Sequence, residues 1–500
     1  MGIKSKLIMP VAKWTANHVG KWSSKAIEDQ DKIMRYLVTK AKNTKFGKDH
    51  GFDAIVTYDD YKKQIPIRDY EGLRPYVDTV VAGKSDVLWP GKPKYFAKTS
   101  GTTSGVKYIP LTQDSMPNHM NSAKSAMLNY IAEANDASIF DGKMIFLSGS
   151  PELSVKGGIN TGRLSGIVNH EIPGWLKANQ LPSYETNCID EWEEKLDKIV
   201  DETLQHDMRL ISGIPPWVQM YYERLLQRTG KSTIKEIFPN FNLFMYGGVN
   251  FEPYRAQLES LIGARIPSVE LYPASEGFIA YQVNQNEQGL LLNTKSGIFF
   301  EFIPVSEVHN AQPTRLKLDQ VEMGQDYALI INNNAGLWGY SIGDSIRFVS
   351  LDPYKIVVSG RIKHYISAFG EHVIGKEVEE AILTVANREN ISIVEFTVAP
   401  QVNPADGATP YHEWFVEFVE APSDLAAFST SVDREMVKQN IYYEDLIKGK
   451  ILQPLKINML KAGAFRSYMK DQGKLGGQNK VPRLSNDRKI ADLLVQYIDL

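Results

Sequence analysis

The sequence predicts an α/β protein, with a large multi-layered α/β domain at the N-terminal side and a smaller α+β domain after it. Three observations carry this: continuous apolar runs of strand length, amphipathic helical periods between them, and a change of texture near Gly360. Met144-Ile145-Phe146-Leu147, Ala328-Leu329-Ile330-Ile331 and Ile356-Val357-Val358 are the runs, of the kind expected in strands covered on both faces. Between Glu191 and Leu204, the residues Trp192, Leu196, Ile199, Val200 and Leu204 fall on one face at the 3.6-residue helical period. Beyond Gly360-Arg361-Ile362-Lys363, a helical stripe (Val378, Ala381, Ile382, Val385) and a period-two alternation (Trp414, Val416, Phe418) point to the smaller unit. The expected domains are therefore 1–360 and 361–500.

At 500 residues, 43% hydrophobic and 23% charged, the chain has globular proportions and length for two or more domains. A net charge of −3, with both signs dispersed, predicts neither a nucleic-acid groove nor a membrane-binding face and favours small-molecule partners. Cys188 is the one cysteine, so an intrachain disulfide and a four-cysteine metal site are excluded, and a reducing, cytoplasmic location is expected. The first ten residues contain no apolar core of signal-peptide length, and no run approaches a spanning helix. The histidines lack ligand spacing and H-E-x-x-H does not occur, which disfavours a zinc protease, and a serine hydrolase is not expected either.

Four segments carry polar chemistry. In Tyr95 to Lys107, the run Thr99-Ser100-Gly101-Thr102-Thr103-Ser104-Gly105 precedes Val106 and Lys107. Glycines let backbone N–H groups approach an anion, hydroxyls donate to it, and the lysine adds charge. It is not a Walker loop, because Val106 stands where the lysine belongs, and an ordinary surface loop is the competing reading. Second, Val269 to Gly277 reads as a strand delivering Tyr272, Ser275 and Glu276 to its tip: a ring that can stack on a base, a hydroxyl for phosphate, and a carboxylate for Mg²⁺. Third, Gly339 to Phe348 places Asp344 in a glycine-flanked turn before a strand, and an aspartate can accept both hydroxyls of a ribose. Fourth, the glycine-rich segment Gly473 to Leu484 presents Lys480, a cation that loop closure could bring to an anionic transition state.

In this order and spacing the four segments resemble the GH3 family of acyl-acid amido synthetases, within the adenylate-forming superfamily. The likeness extends to Thr44-Lys45-Phe46-Gly47-Lys48-Asp49-His50-Gly51-Phe52, to Ile65 to Glu71 and to Tyr76 to Gly83. The resemblance implies a large adenylation domain and a mobile small domain. It places Ser100, Gly101, Thr102, Thr103, Ser104 and Lys107 on the ATP phosphates, Tyr272 on adenine, Ser275 on phosphate, Glu276 on Mg²⁺ and Asp344 on ribose. Gly247 and Gly248 would let the adenine edge lie against backbone, Arg361 and Lys363 would form the interdomain hinge, and Lys480 would be the mobile catalytic lysine. The implied reaction joins a carboxylic acid to ATP as acyl-AMP, releasing pyrophosphate, and then passes the acyl group to an amine, expected to be an amino acid. The alternatives are transfer to coenzyme A, or a non-catalytic acyl or nucleotide sensor with the same fold. Ile211 to Trp217 resembles the segment that opens a pocket-side helix, where Trp217 or Tyr221 either lines the acyl site or belongs to the core.

Overall fold

The computed structural model describes residues 2–100, 106–189, 191–248, 251–308, 310–362, 365–366, 373–402, 404, 409–448, 452–475, 480–485 and 487–499. The chain groups into two compact units, one of residues 1–250 and 258–358, the other of 251–257 and 359–500. The short segment 251–257 joins the second unit although it lies far from it in sequence.

In the first unit the strands run in chain order as β1 (Tyr95–Ser100), β2 (Val106–Leu111), β3 (Lys143–Phe146), β4 (Ser154–Lys156), β5 (Ile159–Gly162), β6 (Gln180–Leu181), β7 (Met208–Ser212) and β8 (Leu243–Gly247). They continue as β9 (Ser268–Ala274), β10 (Gly277–Tyr281), β11 (Leu290–Leu292), β12 (Ile298–Pro304), β13 (Asp326–Asn333), β14 (Tyr340–Leu351) and β15 (Tyr354–Arg361). A four-stranded sheet has the order β2-β1-β5-β4, and an eleven-stranded sheet the order β12-β13-β14-β15-β11-β10-β9-β8-β7-β3-β6. From β9 to β6 every pairing is parallel, while β9 with β10, β10 with β11, β11 with β15 and β12 through β14 pair antiparallel.

The parallel half is built as sequence patterning predicts. The helix Trp192–Thr203 buries Trp192, Leu196, Ile199 and Val200, and its N-cap Glu191 side chain accepts from the Glu194 N–H. That bond satisfies one of the donors a helix start leaves open. Pro215 opens the helix Pro215–Thr229, where its missing N–H costs nothing and its φ is pre-set. Trp217 packs on Trp192 with ring centroids 5.2 Å apart, and the fully buried Tyr221 hydroxyl donates to Thr203 Oγ1 at 2.7 Å. Both are core aromatics. The helix Met116–Ala134 lies over β9 and β10.

Two sequence expectations change. Ile356 is buried, Val357 half-buried and Val358 45% exposed, so the cover expected over the whole run in β15 ends before Val358. Asp344 lies inside β14 and not in a turn. Ala328 pairs with Ser345 while Ile330 pairs with Ser341, so β14 carries extra residues at a bulge, and Gly343 at φ 85° supplies the conformation it needs. The glycine that reads as a turn in sequence is the pivot of that bulge.

The second unit pairs Ile393–Gln401 antiparallel to Tyr411–Phe418, which pairs in parallel with Lys456–Leu460. The helices Gly375–Glu389 and Leu425–Gln439 contribute Val378, Ala381, Ile382, Val385, Phe428 and Val432 to a core shared with Trp414 and Val416.

Candidate active site

The candidate residues Tyr272, Ser275 and Glu276 lie where the parallel half of the large sheet gives way to the antiparallel half. Gly277 pairs with Ala274, so Ser275 and Glu276 form the two-residue connection between β9 and β10, and both are half-buried. The turn is fixed from several sides. Asn333 Nδ2 donates to the Glu276 backbone carbonyl at 2.6 Å, while Asn333 Oδ1 accepts from the Ala335 and Leu337 N–H groups. The Tyr340 hydroxyl faces Glu276 Oε1 at 3.3 Å. Burial first, and the Glu276 charge second, hold that phenol protonated far above its ordinary range, so Tyr340 is the donor. On the following strand, Asn118 accepts from the Phe278 N–H at 2.7 Å and donates to the Phe278 carbonyl at 3.2 Å, imitating a neighbouring strand.

Two of the predicted nucleotide residues touch each other. The buried Tyr272 hydroxyl donates to Asp344 Oδ2 at 2.5 Å, a charge-assisted bond that orients the carboxylate delivered by the bulge. Gly247, at the end of β8, pairs with Leu271; a Cβ there would meet the Leu271 carbonyl oxygen at 2.5 Å. Close approach of two strands therefore requires glycine at this position. Gly248 follows at φ 82°.

Lys107 lies on β2 opposite Thr99, with its ammonium 5.7 Å from the Tyr70 ring centroid. The Tyr70 hydroxyl accepts from the Tyr108 N–H at 2.9 Å, and Tyr70 and Asp69 are electrostatic neighbours of Tyr340. Lys107 thus neighbours Tyr70, and Tyr340 faces Glu276. Gly101, Thr102, Thr103 and Ser104 lie outside the described residues; Ser100 is described as the last residue of β1 only. In the second unit Arg361 ends β15, and Lys480 is exposed at the start of segment 480–485; Lys363 lies outside the described residues. Sequence reading gave no role to Tyr340 and Tyr70, although both lie in segments it singles out, and missed Asn333 and Asn118, which carry no local motif. Cys188 is half-buried, and burial raises its thiol pKa, which keeps it an unreactive thiol.

The large mixed sheet of the first unit and the compact α+β second unit give the chain a fold it shares with adenylate-forming enzymes. A 2-hydroxyisobutyryl-CoA ligase in its postadenylation state superimposes with a TM-score of 0.56 at 11% identity, covering 98% of this chain and 91% of that one. The GH3.15 acyl acid amido synthetase superimposes with a TM-score of 0.80 at 15% identity, covering 96% and 95%. The GH3 family N-terminal domain matches residues 16–180 and 161–267, the central domain 291–361 and the C-terminal domain 376–489, and the chain belongs to the GH3 family. Among its relatives, jasmonoyl-L-amino acid synthetase JAR4 of Nicotiana attenuata is 22% identical, over 91% of this chain and 90% of the relative. Indole-3-acetic acid-amido synthetase GH3.3 of Arabidopsis thaliana is 22% identical over 93% and 90%.

Proposed function

We propose that this protein is an ATP-dependent ligase that activates a carboxylic acid as its acyl adenylate and transfers the acyl group to an amine, an amino acid being the expected acceptor. The observation that carries the reading is the fixed turn holding Glu276 at the end of β9, the strand whose Tyr272 orients Asp344, a constellation suited to a nucleotide and lacking any need for a protein nucleophile. In the first half-reaction an oxygen of the acid's carboxylate bonds to the α-phosphorus of ATP as the bond to pyrophosphate breaks. In the second, the amine nitrogen bonds to the acyl carbon, AMP departs and the nitrogen loses a proton.

The chain's groups divide that work. Asp344, oriented by Tyr272, accepts from the ribose hydroxyls. Tyr272 also stacks on adenine, whose edge lies against the backbone at Gly247 and Gly248. Ser100, Gly101, Thr102, Thr103, Ser104 and Ser275 donate to phosphate oxygens, with Lys107 adding charge. The fixed carboxylate of Glu276 would hold Mg²⁺, which keeps most of its shell as water and substrate phosphate, and the ion would supply charge neutralisation on the phosphates. Lys480 brings its ammonium to the α-phosphate, and Arg361 and Lys363 form the hinge that lets the second unit move. The small-molecule partners are an acid and an amine, and a cytoplasmic location fits the single free cysteine. No helix among the described residues is long and apolar enough to cross a membrane.

The test is to supply preformed acyl adenylate with amino acids or with coenzyme A and to identify the product by mass. The expected product is an amide. A thioester formed in preference would overturn the second half-reaction, and inertness toward both acceptors with a broad acid panel would favour a sensor.

A further inference from the structure

Segment 480–485 is seated on the sheet of the second unit by an unusual buried cation. The Arg483 side chain, 15% exposed, lies between Glu379 on the helix Gly375–Glu389 and Glu395 on the strand Ile393–Gln401. Its Nε donates to Glu379 Oε1 at 2.9 Å, Nη1 forms an ion pair with Glu395, and Nη2 donates to the Tyr254 hydroxyl at 3.3 Å. That hydroxyl in turn donates to Glu395 Oε2 at 2.8 Å, and the guanidinium carbon stands 4.7 Å from the Phe396 ring centroid. Two carboxylates, a phenol and an aromatic face converge on one side chain, an expensive arrangement if its purpose were stability alone.

The backbone around it is fastened as well. The Arg483 carbonyl accepts from the Val398 N–H at 3.0 Å, the Ser485 N–H donates to the Val398 carbonyl at 2.8 Å, and Thr397 Oγ1 donates to the Pro482 carbonyl at 2.7 Å. Leu484 is fully buried. From this anchor to Lys480 the chain is short and stiff: Pro482 has a locked φ, and Val481 is both β-branched and confined to extended conformations by the proline after it. Three residues span at most about 10 Å, so the direction set at Arg483 is passed on to Lys480.

We propose that Arg483, bridged between Glu379 and Glu395, is the positioning residue for Lys480 in the adenylation half-reaction. It does not touch the reacting atoms; it fixes the base of the strut that carries the ammonium. The proposal rests on the reading of Lys480 as the cation that meets the α-phosphate.

Three variants test it: Arg483→Lys, which keeps the charge but loses the planar fork; Arg483→Met; and Arg483→Met with Glu379→Gln and Glu395→Gln, which removes the unpaired carboxylates so that folding is retained. Adenylation is read as acid-dependent pyrophosphate release, and acyl transfer as amide formation from supplied adenylate. Expected is a fall of about a hundredfold in adenylation kcat for all three, the scale of a misplacement near 1 Å, with KM for the acid and the acyl-transfer rate unchanged. Adding Arg483→Met to Lys480→Ala should slow adenylation no further, because both remove the same interaction. Wild-type adenylation by the triple variant, or losses that multiply with Lys480→Ala, would overturn the Arg483 role alone. Full adenylation by Lys480→Ala would overturn the lysine reading on which it stands.

Discussion

The two halves of the large sheet contribute to the site in different ways. The parallel half, from β6 to β9, brings strand ends and glycine: Gly247 is there because a side chain would strike the Leu271 carbonyl. The antiparallel half brings side chains held by other side chains: Asp344 on the bulge of β14, Tyr340 at its start and Asn333 at the end of β13. Glu276 sits on the seam between them. Parallel strands buried on both faces have little but their carboxyl ends to offer a ligand, whereas an antiparallel strand with a bulge can re-aim a polar residue from its middle. The nucleotide site proposed at the seam would use both.

This contrast can be broken from either side, and the seam should be the most sensitive. Glu276→Ala should lower acid-dependent pyrophosphate release by about 100- to 1,000-fold, as loss of a group acting on transition-state charge does. On the antiparallel side, Asp344→Ala should raise KM for ATP by roughly 10- to 100-fold, equivalent to about 1.5–3 kcal/mol for bonds to a charged group, while KM for the acid stays put. On the parallel side, Gly247→Ala should act through packing: with a backbone oxygen 2.5 Å from the new Cβ, a thermal melt should show about 1–3 kcal/mol of lost stability.

The helix over the seam adds a pH test. His119 is buried, and burial lowers its pKa from 6.5 to about 4. The unfolded chain therefore binds the extra proton between these values, so stability present above the unfolded pKa is lost as pH falls toward 4. Melting at pH 7 and pH 5 should show about 2 kcal/mol of loss that His119→Leu largely removes. The smallest effect is expected for Tyr272→Phe, which leaves the ring and deletes one hydrogen bond to Asp344, raising KM for ATP a few-fold for about 1 kcal/mol.

Legibility in the sequence followed locality. The helix Trp192–Thr203 and the strands around Met144 and Ile330 were visible because period and burial are set by neighbours a few residues away. Tyr272, Ser275 and Glu276 were legible as a strand tip because a hairpin turn is a local event. Asp344 was legible as a residue but not as a place, since Gly343 carries the same signal in a turn and in a bulge, and only the pairing with β13 separates them. Asn333, Tyr340 and Asn118 reach the seam across 57, 64 and 160 residues, so no window of sequence contains both partners. The exposure of Val358 likewise follows from how far along β15 the cover over Ile356 extends, not from its own apolar run.

The most direct measurement is pyrophosphate release from ATP and Mg²⁺ against a pooled panel of aryl, indole, fatty and hydroxy acids, with wild type and Glu276→Ala side by side. Acid-dependent release by the wild type, lost in the variant, is the expected result. Release that is independent of acid, or that persists unchanged in Glu276→Ala, would contradict a seam-centred adenylation site.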